Sequence, residues 1–412
     1  MALLTRSHLV RVLGNLCLII VSFLITLCCC ELLLRFTPNP WVKSTFEYKW
    51  HQKLGYWPAP NQNAIEEMEC FSTRVSTNSH GMRDLPRKFE KDGFRVAMFG
   101  DSYLEARQVN DDEVVNRLLE SRFPSIDFLN FGVSGYGPGQ EWIAYQQIAR
   151  SFQPDLVVLL IWPPNDIRDS SRDLLIRTGE IPGTKPSFYL SNIGDLLIEP
   201  VRTPDTHHGI IAKFFEKELK DFVRRKLFHA TFNLYDHAMG TFRYLLNANK
   251  GSNDEPINSA ENEWGPFYPP NVFRPPVYDI WKDAWEITEK VIVQFARESR
   301  ADGAEFILIV HDSDASFFTG NANDLRGYNR SDDPPQRFNL MYPFERLSAL
   351  CAKEGIPFLS LIDGYKSYKH AYNLDHGFLT HDCDGHWNSL GHRLSAQLIG
   401  DFIVENSLIP AK

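Results

Sequence analysis

Val96-Ala-Met-Phe-Gly-Asp-Ser-Tyr-Leu-Glu105 sets a short apolar run directly against a helix-like one, with a serine at the junction. An apolar run bounded by glycine predicts a buried strand. Gly100 then lets the chain turn, and Ser102 emerges at the strand's carboxyl end near a helix N-terminus. Open α/β sheets carry their chemistry along that edge. A serine there needs a base, and the chain offers one far downstream in Asp384-Gly-His-Trp-Asn388. The two halves together suggest acyl transfer.

Outward from this stretch, short apolar runs rich in β-formers recur at 95–99, 127–131, 155–161, 305–310 and 357–362. Helix-like segments lie between and after them, at 111–123, 140–152, 278–300, 345–353 and 389–404. Strands alternating with helices predict an α/β fold, a parallel sheet of about five strands covered on both faces. The alternation breaks over 170–277, too long for an ordinary connection, so this stretch is expected to be an insertion or cap. Within it Ile211, Phe215, Phe222 and Leu227 share a helical face, with Lys213, Lys217, Lys220, Arg224 and Arg225 elsewhere. Such a segment either packs its stripe on the main domain or rests on a membrane surface. Pro256, Pro266, Pro269, Pro270, Pro275 and Pro276 favour extended loop at its end.

Of 412 residues, 43% are hydrophobic and 23% charged, an ordinary globular balance. A net charge of -9 leaves no basic field for a phosphate backbone, so no nucleic-acid partner is expected. Val12 to Cys30 carries no charged side chain and, as a helix, would span roughly the ~30 Å hydrocarbon core. Arg6 and Arg11 precede it and no small-residue cleavage site ends it. Residues 1–36 are therefore expected to be a cytoplasmic tip and transmembrane anchor, with the remainder outside, in the periplasm if the cell has one. Residues 37–76, rich in Pro, Trp and Tyr, are expected to be a linker or collar, and 77–412 the main domain. Only Cys70, Cys351 and Cys383 lie in the exported part, which permits at most one internal disulfide.

Serine becomes a useful nucleophile when a base takes its proton, and the base needs a third group to fix its tautomer. Ser102, His386 and Asp384 can fill these roles, since residues two apart in an extended segment point to the same side. Asp382 competes with Asp384 as the orienting acid. Donors for the oxyanion would be the Ser102 backbone N–H, a backbone N–H in the glycine-bearing turn Asn130-Phe-Gly-Val-Ser-Gly-Tyr-Gly137, and the Asn165 side-chain amide in Trp162-Pro-Pro-Asn-Asp166. His311 and Trp162 are candidates for touching substrate, with a hydrated loop the competing role for His311, Asp312 and Asp314. His392 is expected to pack or cap on the final helix.

These blocks, in this order, resemble the SGNH or GDSL-like hydrolase superfamily over roughly 78–398. Its serine block matches Gly100-Asp-Ser102, its glycine Gly135, its asparagine Asn165 and its histidine His386. Asn78-Ser-His-Gly-Met-Arg-Asp84 also resembles membrane-anchored bacterial members. Two positions depart from the usual pattern. Pro163 stands where a glycine is common, and the acid lies two rather than three residues before the histidine. The latter is similar to the Asp-x-His-Trp arrangement of alginate O-acetyltransferase-type members. The resemblance implies a flavodoxin-like three-layer sandwich, no metal or other cofactor, and hydrolysis or transfer of ester-linked acyl groups. With the anchor, it implies a membrane-bound esterase or O-acyltransferase acting on acylated, principally acetylated, carbohydrate outside the cytoplasm. The alternatives are a catalytically weak polysaccharide-binding or assembly protein keeping the same fold, and a lipid-directed esterase.

Overall fold

The computed structural model describes residues 43–178, 180, 183–202, 270–276, 278–312, 339–375 and 377–410, with scattered residues between 14 and 29. Contacts separate two compact units, 1–42 with 203–255 and 43–202 with 256–412. In the first, the described residues of the apolar stretch are helical, and Leu18, Ile19 and Phe23 are exposed. Among the described residues no helix is long and apolar enough to cross a membrane. The amphipathic segment 211–227, Pro256, Pro266, Pro269 and Asp314 lie outside the described residues.

The second unit opens with five short strands, β1 (Lys43–Ser44), β2 (Tyr48–His51), β3 (Gly55–Pro58), β4 (Asn63–Met68) and β5 (Phe71–Ser76). β2 and β3 form a hairpin, and β4 pairs antiparallel with both β1 and β5. This differs from the linker expected over 37–76. The period-two alternation along β4 and β5 turns Ala64 and Val75 inward against Phe46, while Leu54 and Trp57 join the main core. Glu66 and Thr73 share that inward face, so the alternation does not show as an apolar pattern in the sequence.

The central strands are β6 (Phe94–Phe99), β7 (Ile126–Asn130) and β8 (Leu156–Ile161). After the antiparallel hairpin β9 (Ser187–Leu190) and β10 (Leu196–Glu199) come β11 (Glu305–Val310) and β12 (Phe358–Ser360). Five of them form one parallel sheet in the order β12-β11-β8-β6-β7. Numbered in chain order within the sheet this is 2-1-3-4-5, the flavodoxin-like order, and the direction of travel reverses at β6. The crevice at such a reversal, outside the strands' carboxyl ends, is where doubly wound sheets bind ligands.

The helices are α1 (Ser102–Glu105), α2 (Val115–Arg122), α3 (Pro138–Gln147), α4 (Pro163–Ser170), α5 (Arg172–Arg177), α6 (Asp279–Ala301), α7 (Tyr342–Glu354), α8 (Ile362–Tyr372) and α9 (Ser389–Glu405). Strand alternation divides the core into two layers. Ala97, Phe99, Val157, Leu159 and Leu308 meet Tyr145 of α3, Trp285 and Phe295 of α6 and Leu347 of α7. On the opposite face Val96, Met98, Val158, Leu160 and Ile309 meet Leu119 of α2, Tyr365 of α8 and Ile399 of α9. Each fully buried side chain of this size contributes roughly 1.5–3 kcal/mol, so both layers are needed to hold the sheet. The strand expected over 357–362 stops at Ser360, and α8, which follows at once, is not signalled by the sequence pattern. Within the expected insertion, α5 and the β9–β10 hairpin are described.

Candidate active site

β6 ends at Phe99, and Asp101 caps the short helix that follows by accepting the Tyr103 N–H at 2.9 Å. This leaves Ser102 as the first helical residue, at the sheet's reversal point. His386 arrives from the turn before α9. Its Nε2 lies 2.7 Å from Ser102 Oγ, and its Nδ1 lies 2.8 Å from Asp384 Oδ2. An Nδ1 proton held by the carboxylate leaves Nε2 to accept the serine proton. Asp382, the competing orienter, is exposed, and no hydrogen bond from it to His386 occurs among the described residues.

Burial alone would raise the Asp384 carboxyl. The hydrogen bond and charge of His386, with the Gln108 side chain and His381, outweigh it and hold the carboxyl below its ordinary value. Gln108 has no motif of its own in the sequence and is found only through this contact. Tyr103 supports the base from beneath, its ring 4.9 Å from that of His386 and its hydroxyl donating to the Gly385 carbonyl at 3.2 Å.

Three turns carry the candidate oxyanion donors, after β6, β7 and β8. Asn165 Nδ2 donates to Asp101 Oδ2 at 2.8 Å, tying the asparagine block to the serine block. The Val133 N–H donates to the Gly100 carbonyl at 3.1 Å, tying in the glycine turn. Gly135 has φ +77°, a conformation that favours glycine. Among the described residues neither the Ser102 nor the Gly135 backbone N–H has an acceptor. Pro163 occupies the first position of α4, where a missing N–H costs nothing, so the helix that carries Asn165 starts normally.

The glycine turn is held from the N-terminal strands and from the insertion. Glu105, fully buried, accepts hydrogen bonds from the Tyr48 hydroxyl at 2.7 Å and from Ser134, and pairs with Arg107 at 3.2 Å. The Tyr56 hydroxyl donates to the Ser134 carbonyl at 3.0 Å. Lys185, almost entirely buried, donates to the Gly135 carbonyl at 2.5 Å. Tyr48, Tyr56 and Lys185 could not be found from the sequence, because they lie far from any block. Behind Asp101, burial first and the Asp101 charge second push Glu141 and Asp166 well above the ordinary carboxyl range.

His311 and Trp162 do not face open space. His311 is 0% exposed, its ring centroid 4.5 Å from Tyr103 and 4.4 Å from Trp387. Burial, followed by the charges of His386 and His392, drives it well below the ordinary imidazole value. Trp162 packs on Tyr103 at 5.2 Å. The two form a wall behind the base instead of the open contact expected. His392 lies on α9, edge-on to Trp387, and burial pushes it down to about 3. Asp312 is buried.

No family model matches this sequence, and no curated protein does either. Among solved structures the chain is similar to a catalytic mutant of an acetylxylan esterase from Geobacillus stearothermophilus. That alignment has 11% identity, covers 77% of this chain and 96% of that one, and has a TM-score of 0.37. It is also similar to the lipase/acylhydrolase from Enterococcus faecalis, at 12% identity, 77% and 99% coverage and a TM-score of 0.35. A third is an alpha/beta hydrolase enzyme from the metagenome of Lake Arreo, at 11%, 78% and 99%, with a TM-score of 0.36. Likenesses this distant carry no argument about chemistry, which rests on the chain's own geometry.

Proposed function

We propose that this protein is a serine esterase or O-acyltransferase of the SGNH type, working through an acyl-enzyme on Ser102. The observation that carries the reading is the pair of hydrogen bonds from Ser102 Oγ to His386 Nε2 at 2.7 Å and from His386 Nδ1 to Asp384 at 2.8 Å. Ser102 Oγ attacks the ester carbonyl carbon while its proton passes to His386 Nε2. The Ser102 and Gly135 backbone N–H groups and the Asn165 amide take the developing negative charge. Collapse expels the alcohol, which receives the proton from His386. Water or a sugar hydroxyl then enters by the reverse path, giving hydrolysis or transfer.

The substrate we infer is an O-acylated, principally O-acetylated, carbohydrate met outside the cytoplasm. Two sequence features support this part of the reading, the uncharged stretch from Val12 to Cys30 and the Asp-x-His-Trp block at 384–387. The first test is intact-mass detection of a fluorophosphonate adduct on the detergent-solubilised chain, wild type beside Ser102→Ala. A single adduct on wild type alone is expected. A folded wild type that takes no adduct would refute an activated serine. Acetylated oligosaccharides, with and without acceptor sugars, set against long-chain micellar esters, then identify the substrate class. Faster turnover of the micellar esters would overturn the carbohydrate assignment.

A further inference from the structure

Asp384 and His386 both sit on the turn 380–388, which has little regular structure to hold it. An isolated bridge pairs Thr380 with Trp387, and the His381 N–H donates to the His386 carbonyl at 2.9 Å. Immediately before Asp384, Cys383 is joined by a disulfide to Cys70, 313 residues away in sequence. Cys70 lies in the two-residue turn between β4 and β5, and its neighbour Phe71 packs on His381 with ring centroids 5.0 Å apart.

The β4–β5 hairpin is itself docked without help from the disulfide. Thr73 Oγ1 donates to the Arg107 carbonyl at 2.6 Å, the Ser76 N–H to the Asp111 carboxylate at 3.1 Å, and Arg107 to Glu66 at 2.9 Å. The same 107–111 segment supplies Gln108, whose side chain helps hold the Asp384 carboxyl below its ordinary value. One end of the disulfide is thus fixed to the body of the domain, and the other is one residue from the orienting acid.

We propose that the Cys70–Cys383 disulfide is a positioning element for the acyl-transfer site: it holds Asp384 where its carboxylate keeps His386 turned towards Ser102, and the oxidised protein is the active form. This inference rests on the serine acyl-transfer reading. A disulfide that only stapled the fold would stabilise it by restricting the unfolded chain, leaving the rate of folded molecules unchanged. A positioning disulfide acts on the rate itself, because displacing a reacting group by about 1 Å can cost up to about a hundredfold. Cys70 is exposed and Cys383 half-buried, so a reductant reaches the bond.

The test uses the full chain in detergent, in oxidised, phosphine-reduced and reoxidised states. Reduction gives two thiols, and the phosphine leaves as its oxide. Circular dichroism selects a temperature at which every form is folded, and Cys70→Ala/Cys383→Ala gives the same comparison if reduction unfolds the chain. Iodoacetamide should modify neither Cys70 nor Cys383 before reduction. On reduction, kcat for p-nitrophenyl acetate and the fluorophosphonate labelling rate should fall about tenfold or more with KM little changed, and recover on reoxidation. In Asp384→Asn, reduction should cost little further, because the disulfide acts through that residue.

An unchanged kcat in folded, reduced protein would overturn the inference. So would an equal fold-loss in Asp384→Asn, or alkylation of either cysteine before reduction. Oxidised wild type that neither labels nor turns over would sink the serine reading itself, and this inference with it.

Discussion

Ser102, His386 and Asp384 are joined by two hydrogen bonds of 2.7 and 2.8 Å, so each member's value depends on the others. Asp384→Asn keeps the shape but no longer fixes the Nδ1 proton. Its kcat should fall by about 10³-fold or more with KM little changed, by steady-state assay. Because its folded value lies below the ordinary 3.8, Asp384 contributes stability above that pH. The contribution is lost as the pH falls through the lower folded value. Glu141 has the opposite sign. Among the described residues neither of its carboxyl oxygens has a hydrogen-bond partner, and burial raises its folded value well above the ordinary 4.5. Its favourable contribution is complete below about 4.5 and is lost as the pH rises towards the folded value. Glu141→Gln should therefore melt a few degrees above wild type at pH 8, with the gap closing towards pH 4. A gap independent of pH would refute this assignment. The triad residues were legible because chemistry restricts their types, whereas Gln108 and Glu141 carry roles that follow only from where they are buried.

Two elements that the sequence leaves unexplained shape the site, the N-terminal strands and the described part of the insertion. Lys185 belongs to the insertion and reaches the Gly135 carbonyl, fixing the peptide that follows Gly135 and with it the conformation of the donor residue. Lys185→Met should lower kcat about tenfold while leaving KM little changed, because the orientation of an oxyanion donor matters most in the transition state. A changed KM with kcat intact would mean that Lys185 serves binding. Gly132 marks the close approach of the β7 turn to α1, where an added Cβ would come 2.5 Å from the Glu105 nitrogen. Gly132→Ala should destabilise the chain by about 1–3 kcal/mol in denaturant unfolding. The five sheet strands could be read from their apolar runs. β1 to β5 could not, because β1 to β3 are short and aromatic-rich and the inward positions of β4 and β5, Ala64, Glu66, Thr73 and Val75, are half polar, and α8 was hidden because it begins two residues after β12.

At the scale of the molecule, the proposal places the catalytic unit outside the cytoplasm. A membrane-impermeant fluorophosphonate should then label Ser102 in intact cells, and labelling only after lysis would overturn that placement. The sequence by itself determined the α/β alternation, the serine, histidine and acid as candidates, and the absence of a basic field for nucleic acid. These follow from local periodicity, residue chemistry and net charge, which need no knowledge of distant contacts. Only the tertiary structure decided that Asp384 and not Asp382 meets His386, that His311 is walled in, and that Cys70 pairs with Cys383. The first depends on how the turn 380–388 is folded, and the other two on segments tens to hundreds of residues apart being brought together by burial of the two core layers. No local pattern encodes where such segments meet.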